Sequence, residues 1–321
     1  MTGEKVSFVI ATYNRKDDLC ETLNSILDQN YSNYEIVVVC NSDDDTPELF
    51  SQGGPFDREE IRYFHYPERM GVPKARNTGI KKATGDIIIT IDDDAVLDNS
   101  DVTTQIVESF AQNPDFGVIA FRSENYYTEE VAAKEFPDPP FNQRSPDKEF
   151  ETTFFVGVGN AIRADVFEEV GYYAEDFEYG VEELDLSLRV VDAGWRIKYD
   201  PEACVRHKES PEGRLPDREV IAKILENRIR TTVRNLPWRY VAVSSMIWSL
   251  YTLAQTRGDP RPILSAISSV VNAKDELLDQ RDILDRQTLT SIKKKSGPLY
   301  WWWMGTPPQP IFCRIRLSQI R

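Results

Sequence analysis

Residues 86–96 read DIIITIDDDAV, and this stretch decides the fold. Five consecutive β-branched residues, Ile87 to Ile91, run straight into three aspartates. β-Branched side chains favour a strand, and a run apolar on both faces is typical of a parallel strand covered by helices on each side. Asp92, Asp93 and Asp94 then stand at the carboxyl end of that strand, where open α/β sheets bind their ligands. Three neighbouring carboxylates repel one another unless a cation lies among them. A hard divalent ion, Mg2+ or Mn2+, held by one or two of them and by substrate phosphate oxygens, meets that need.

On the N-terminal side, VSFVIATY (6–13) and YEIVVVC (34–40) are short β-branched runs bounded by polar turns. Between them Leu19, Leu23, Ile26 and Leu27 recur at helical spacing over residues 15–29, giving a β-α-β opening. A strand at 61–66 and a helix from about Val72 to Ala83 lead into the aspartate strand. On its other side the pattern predicts a helix near 100–112, a strand at 116–122, the run FFVGVGNAIR (154–163), a helix opening near Glu182 and a strand at 196–206. The Pro-rich, irregular stretch from about Tyr127 to Pro146 reads as a lid or binding loop.

Charge divides the chain near Gly213. Residues 213–321 hold 18 Lys and Arg against 9 Asp and Glu, a net of +9, whereas residues 1–212 hold 20 against 44, a net of −24. The first part is too self-repelling to bind nucleic acid. It suits a halophilic cytoplasm, where salt screens it, or is an ordinary acidic surface. Cys20, Cys40, Cys204 and Cys313 are widely spaced with no C-x-x-C pair, which fits free thiols in a reducing cytoplasm. Met1 to Val6 enters the first strand without an apolar signal segment, so a cytoplasmic protein is expected.

From Arg218 onward the chain reads as helices, with Ile221, Ile224, Leu225 and Ile229 on one face and Arg218, Lys223, Arg228 and Arg230 elsewhere. Tyr240 to Ala254 is mostly apolar but shorter than the roughly 20 residues that span hydrocarbon. With Trp238 and Trp248 as interfacial anchors it reads as a helix lying on a membrane surface. Lys293, Lys294 and Lys295, followed by Tyr300 and Trp301 to Trp303, repeat the pattern. The alternative is that these groups pack on the catalytic domain or on a second copy in a homo-oligomer.

The set VIATYNR (9–15), ARNTGI (75–80), IDDDAV (91–96), GVGNAIR (157–163) and EELDLSLRVVDAGWRIKYDPEACVRH (182–207) resembles the family 2 glycosyltransferases. Five motifs in the family's order cover roughly residues 5–210, and NRIRTTVRNLP (227–237) resembles more loosely the helical extension of members acting on lipid-linked or cell-surface glycans. The resemblance implies a GT-A fold, Rossmann-like with a mostly parallel sheet, over residues 1–212 and a basic helical extension over 213–321. It implies a nucleoside-diphosphate sugar as donor. Thr12, Tyr13, Asn14 and Arg15 would cradle the nucleotide, Arg76 would lie near its phosphates, Asp92 would touch ribose and metal, and Asp94 would bind metal, with Asp93 between them and His207 as a further ligand. Many relatives place an aspartate at the end of the second strand for the base; here stand Cys40-Asn41-Ser42, so Asn41 or Asp43 would supply hydrogen bonds and the base stays open. Gly157, Gly159 and Asn160 would meet the donor sugar and the acceptor.

The family's acidic pair corresponds to Glu182 and Glu183, at the start of a helix whose dipole favours ionised carboxylates. Glu183 is the expected base in an inverting displacement, with Glu182 on the donor. A polyprenyl- or dolichyl-phosphate-linked glycan at the inner membrane face, in protein glycosylation or surface polysaccharide assembly, is the acceptor the basic tail favours. A nucleotidyltransferase is the enzymatic alternative, although ATYNRKD (11–17) lacks the glycines such enzymes use. An inactive transferase-like membrane scaffold is the other.

Overall fold

The computed structural model describes residues 3–138, 144–210 and 217–297. The chain opens with strand β1 (Val6–Thr12), helix α1 (Lys16–Leu27), β2 (Tyr34–Cys40), β3 (Ile61–His65), α2 (Val72–Ile80), β4 (Ile87–Ile91), β5 (Ala95–Leu97) and α3 (Val102–Gln112). It continues through β6 (Phe116–Asn125), β7 (Phe150–Thr152), β8 (Gly159–Arg163), α4 (Ala164–Val170), α5 (Glu182–Asp192) and β9 (Arg196–His207). Helices α6 (Asp217–Asn235), α7 (Trp238–Gln255), α8 (Arg261–Asn272), α9 (Lys274–Asp279) and α10 (Arg286–Ser296) follow.

The strand order is β3-β2-β1-β4-β8-β6-β9-β5, with β7 added to β9. Strands β3, β2, β1 and β4 are parallel. Strand β8 then runs antiparallel between β4 and β6, and β6 pairs parallel with β9. The chain winds outward from β1 through β3 and returns to the far side of β1 as β4, so the crevice at the carboxyl ends of β1 and β4 is the sheet's switch point. Alternation along the strands sends Phe8, Ile10, Ile36, Val38, Ile87 and Ile89 to one face, against Leu19 and Leu23 of α1 and Ile106 of α3. Val9, Val37 and Ile88 face the other way, against Ile80, Val166, Leu186 and Val190.

Two pairings finish the mouth of the crevice. Ile91 lies opposite Gly159, and the Asp92 N–H donates to the Val158 carbonyl at 3.1 Å, which brings residues 157–158 beside the aspartates. The short β5 pairs Ala95 with His207 and so carries the end of β9 next to Asp94.

The C-terminal helices are tied to the sheet domain. Leu184 and Leu188 of α5 pack with Leu236, Leu284, Leu289 and Ile292, while Leu186 and Val190 pack on the sheet. Helix α5 is therefore buried on two sides. The charge division proves partly internal, because Arg230 and Arg234 both pair with Asp176, Lys223 with Glu178 and Lys295 with Glu151. Trp248 corrects the membrane-anchor expectation: it is only 5% exposed, with the Arg228 guanidinium 3.6 Å from its ring centroid. Trp238 is 57% exposed. Among the described residues no helix is long and apolar enough to cross a membrane. The boundary near Gly213 and the aromatic run at 300–303 lie outside the described residues. Cys20, Cys40 and Cys204 are free thiols.

Candidate active site

Directly after β1 the chain turns through Asn14, whose φ of 54° is left-handed, a conformation Asn tolerates better than most residues. Its amide donates to Asp43 Oδ1 at 2.5 Å and accepts from the Asp43 N–H at 3.0 Å, which ties the ends of β1 and β2 together. Arg15 follows and reaches across the crevice. Its Nη1 donates to Asp93 Oδ1 at 2.8 Å and lies 3.4 Å from Asp94 Oδ2.

Asp94 Oδ2 also accepts the Ser210 N–H at 2.8 Å, while its Oδ1 stands 3.3 Å from His207 Nε2. Burial and the charge of Asp94 push the Asp93 carboxyl up to about 6 against the pull of Arg15. Burial would raise Asp94 as well, but the hydrogen bond and charge of His207, with Arg15 and Ser210, hold it at about 2. Burial would discharge His207, yet the carboxylates of Asp94 and Glu135 bring it to about 10. Ligand atoms of Asp92, Asp94 and His207 come within 4.8 Å of one another, close enough to share one cation.

Across the cavity, α5 begins after two left-handed residues, Gly180 at φ 76° and Val181 at φ 77°. Left-handed geometry is costly for a β-branched residue, so something must enforce it. The Asn227 amide of α6 does so, donating to the Tyr179 and Gly180 carbonyls at 3.0 and 2.8 Å. The turn aims Glu182 and Glu183 at Arg76. That guanidinium donates to Glu183 Oε1 at 2.7 Å, to Asp92 Oδ1 at 2.6 Å and to the Gly157 carbonyl at 2.9 Å, and lies 3.5 Å from Glu182 Oε1. Burial and the adjacent charge of Glu183 push Glu182 up to about 8, above the usual carboxylate range, despite Arg76. A Cβ at Gly157 would sit 1.9 Å from Glu183 Oε1, so any side chain there would push the glutamate and Arg76 from their present places.

One cavity of about 830 Å³ joins these walls. Of the residues expected from sequence, Thr12, Tyr13, Arg15, Asn41, Arg76, Asp92, Asp93, Asp94, Glu182, Glu183 and His207 line it. Asn14 and Asp43 do not, since they bond to each other outside it. Gly159 and Asn160 correct the expected sugar contacts: both are buried within β8, and the Asn160 amide is used by Thr90 and the Val156 carbonyl. Of that expected trio only Gly157 lines the cavity. Asn41 donates to the Tyr66 and Glu68 carbonyls and so fixes the segment bearing Arg69, which stacks 4.7 Å from the Tyr13 ring centroid. Arg69, Glu135 and Val181 carry no motif in the sequence that marks them for the site.

The model of glycosyl transferase family 2 matches residues 7–171, half of the chain, including both the β1 loop and the aspartate triplet. The chain belongs to glycosyl transferase family 2. A poly-beta-1,6-N-acetyl-D-glucosamine synthase of Staphylococcus aureus (strain MSSA476) is 26% identical over 204 residues, which cover 62% of this chain and 48% of the synthase. The chain thus spans about half the length of that relative. Family 2 membership agrees with the solved structures of similar fold. GalNAc-T7 with UDP, GalNAc and Mn2+ superposes with a TM-score of 0.64 at 17% identity, over 83% of this chain and 55% of that one. The mannosyltransferase PcManGT of Pyrobaculum calidifontis, in complex with GDP-Man and Mn2+, gives 0.57 at 19% identity, over 94% of this chain and 88% of that one. These neighbours confirm the GT-A fold. Both were solved with Mn2+, and this family 2 chain holds an acidic cluster able to take a metal ion.

Proposed function

We propose that this chain transfers a sugar from a nucleoside-diphosphate sugar to an acceptor hydroxyl, inverting the anomeric carbon, with Glu183 as the base. The observation that carries the reading is the placement of Arg76, whose one buried guanidinium touches Asp92 at 2.6 Å and Glu183 at 2.7 Å inside a single cavity. A donor laid along the aspartate wall therefore presents its anomeric carbon toward the glutamate wall. Glu183 takes the acceptor proton, the acceptor oxygen bonds to the anomeric carbon, and the bond to the diphosphate oxygen breaks with its electron pair leaving on the diphosphate. One base and one displacement give inversion.

Tyr13, Arg69 and Asn41 line the cavity and would meet the base, with Thr12 and Arg15 toward the ribose and phosphates. Asp92, Asp94 and His207 would hold the metal. When bound, the ion would offset the charge growing on the leaving diphosphate. Two carboxylates and an imidazole suit Mn2+ better than Mg2+, which prefers oxygen ligands alone. Asp93 anchors Arg15, and Glu182, kept protonated by burial, offers a hydrogen bond to a sugar hydroxyl. A thermal-shift panel of UDP- and GDP-sugars with Mn2+ tests the donor reading, since a true donor stabilises the fold by mass action. No shift with any sugar nucleotide, and no nucleoside diphosphate released, would defeat it.

For the acceptor we infer a lipid-linked glycan at the inner face of a membrane. Supporting this are the outward side chains Trp238, Met246 and Leu250 of α7 and Leu264, Ile267 and Val271 of α8, with Arg239 and Lys274 exposed nearby. An apolar face flanked by cations is suited to an anionic bilayer surface. Flotation with anionic vesicles checks it; a protein that stays with the aqueous fraction and sediments as a dimer would assign the face to a second copy.

A further inference from the structure

One carboxylate beside the aspartates has no part in the transfer chemistry. Glu135 lies between β6 and β7, 8% exposed, and both of its oxygens stand 3.1 Å from His207 Nδ1. Its Oε2 also accepts from Ser123 Oγ at 2.5 Å. The opposite ring nitrogen, Nε2, faces Asp94 Oδ1 at 3.3 Å.

We propose that Glu135 is a positioning residue for the metal, fixing the tautomer and the ring plane of His207. This rests on the metal reading given above. A neutral imidazole has one N–H and one lone pair, and an ionised carboxylate can only accept. Glu135 at Nδ1 therefore keeps a proton there, so that when a metal displaces the proton on Nε2 it is the Nε2 lone pair that is left for the ion. Turning the ring over would replace that hydrogen bond by a C–H. A carboxylate behind the ligand also strengthens the donor nitrogen, the usual arrangement behind metal-bound histidines. Ser123 in turn holds the carboxylate.

The same carboxylate has a competing use as a direct ligand, because atoms of Glu135, His207 and Glu209 also converge within 4.8 Å. Two observations favour the supporting role. Glu209 is engaged by Lys134 Nζ at 2.5 Å and does not line the cavity, whereas Asp92, Asp94 and His207 all do. Glu135 also lines the cavity, but only the latter set has all three of its members there, where diphosphate oxygens would complete the coordination.

The test is Mn2+ affinity of the full chain, read from the EPR signal of unbound Mn2+ without nucleotide, with thermal stability in chelator recorded in parallel. Glu135→Ala is expected to weaken binding by about 10- to 100-fold. Glu135→Gln, whose amide oxygen still accepts from Nδ1, should recover most of that loss, and Asp94→Asn should lose more than either. Wild-type affinity in Glu135→Ala, with only its stability lowered, would overturn the inference. So would a Glu135→Gln defect as deep as that of Asp94→Asn and matched by Glu209→Gln, which would make Glu135 a direct ligand. If the wild type itself binds no Mn2+, the metal reading fails first and takes this inference with it.

Discussion

Arg15 and Arg76 each hold a set of carboxylates together, on opposite walls of one cavity, but the walls are built differently. Around Arg15 the carboxylates have other partners: Asp94 accepts the Ser210 N–H and faces His207, which Glu135 supports from behind. Around Arg76 the guanidinium is the main partner of Glu183, and the buried Glu182 Oε2 has no hydrogen-bond partner among the described residues. The aspartate wall can exchange one cation for another and stay satisfied. The glutamate wall depends on the cation it has. That difference suits the proposed roles of the two walls, one for a departing metal–diphosphate and one for a resident base.

Four measurements break or sharpen this contrast. The largest effect belongs to Arg76→Met, which strands buried carboxylates and should cost about 3–5 kcal/mol of stability in urea unfolding. A loss under 1 kcal/mol would mean that the glutamate wall has another source of positive charge. Next comes Glu183→Gln, expected to lower turnover by on the order of 10² or more, roughly 2.7 kcal/mol, while donor binding by calorimetry stays near wild type. Full turnover in that variant would remove Glu183 as the base.

Arg15→Gln should cost about 1–2 kcal/mol in chelator, less than Arg76→Met because neighbouring donors remain. Saturating Mn2+ should shrink that deficit; an unchanged deficit would show that the two walls do not differ in exchangeability. The last measurement is the pH dependence of stability without metal. Glu182 is raised from 4.5 to about 8, so the folded state keeps a proton that the unfolded chain has released. Its contribution is complete below the lower value and fades as pH rises through the upper one. Stability should therefore fall by up to about 1 kcal/mol per pH unit across that window, and Glu182→Gln should flatten the slope. An identical slope in the variant would place the titration elsewhere.

Much of this was legible in the sequence because it rests on periodicity. The β-branched runs of β1, β2 and β4 and the spacing of Leu19, Leu23 and Ile26 fix both elements and faces, and three aspartates after an apolar strand mark the switch point without any tertiary knowledge. Partnership between distant residues was not legible. Glu135 meets His207 from 72 positions away, in a segment with no repeat to read. Gly157 and Gly159 look equivalent in GVG, yet β8 begins at the second, so only the first meets the cavity. Counting charges gave a basic tail, but not that Arg230 and Arg234 are spent on Asp176. In α5, Leu184 and Leu188 pack on the C-terminal helices while Leu186 and Val190 supply a second face against the sheet, a division that only the tertiary structure shows.

The bond from Asn227 to the carbonyls before α5 limits how such an enzyme can be re-engineered. Exchanging the C-terminal helices between relatives to redirect acceptor choice would also release the strained turn that aims the glutamates. A working chimera therefore needs its crossover drawn upstream of Asp176, so that the turn and the helix holding it travel as one inherited unit.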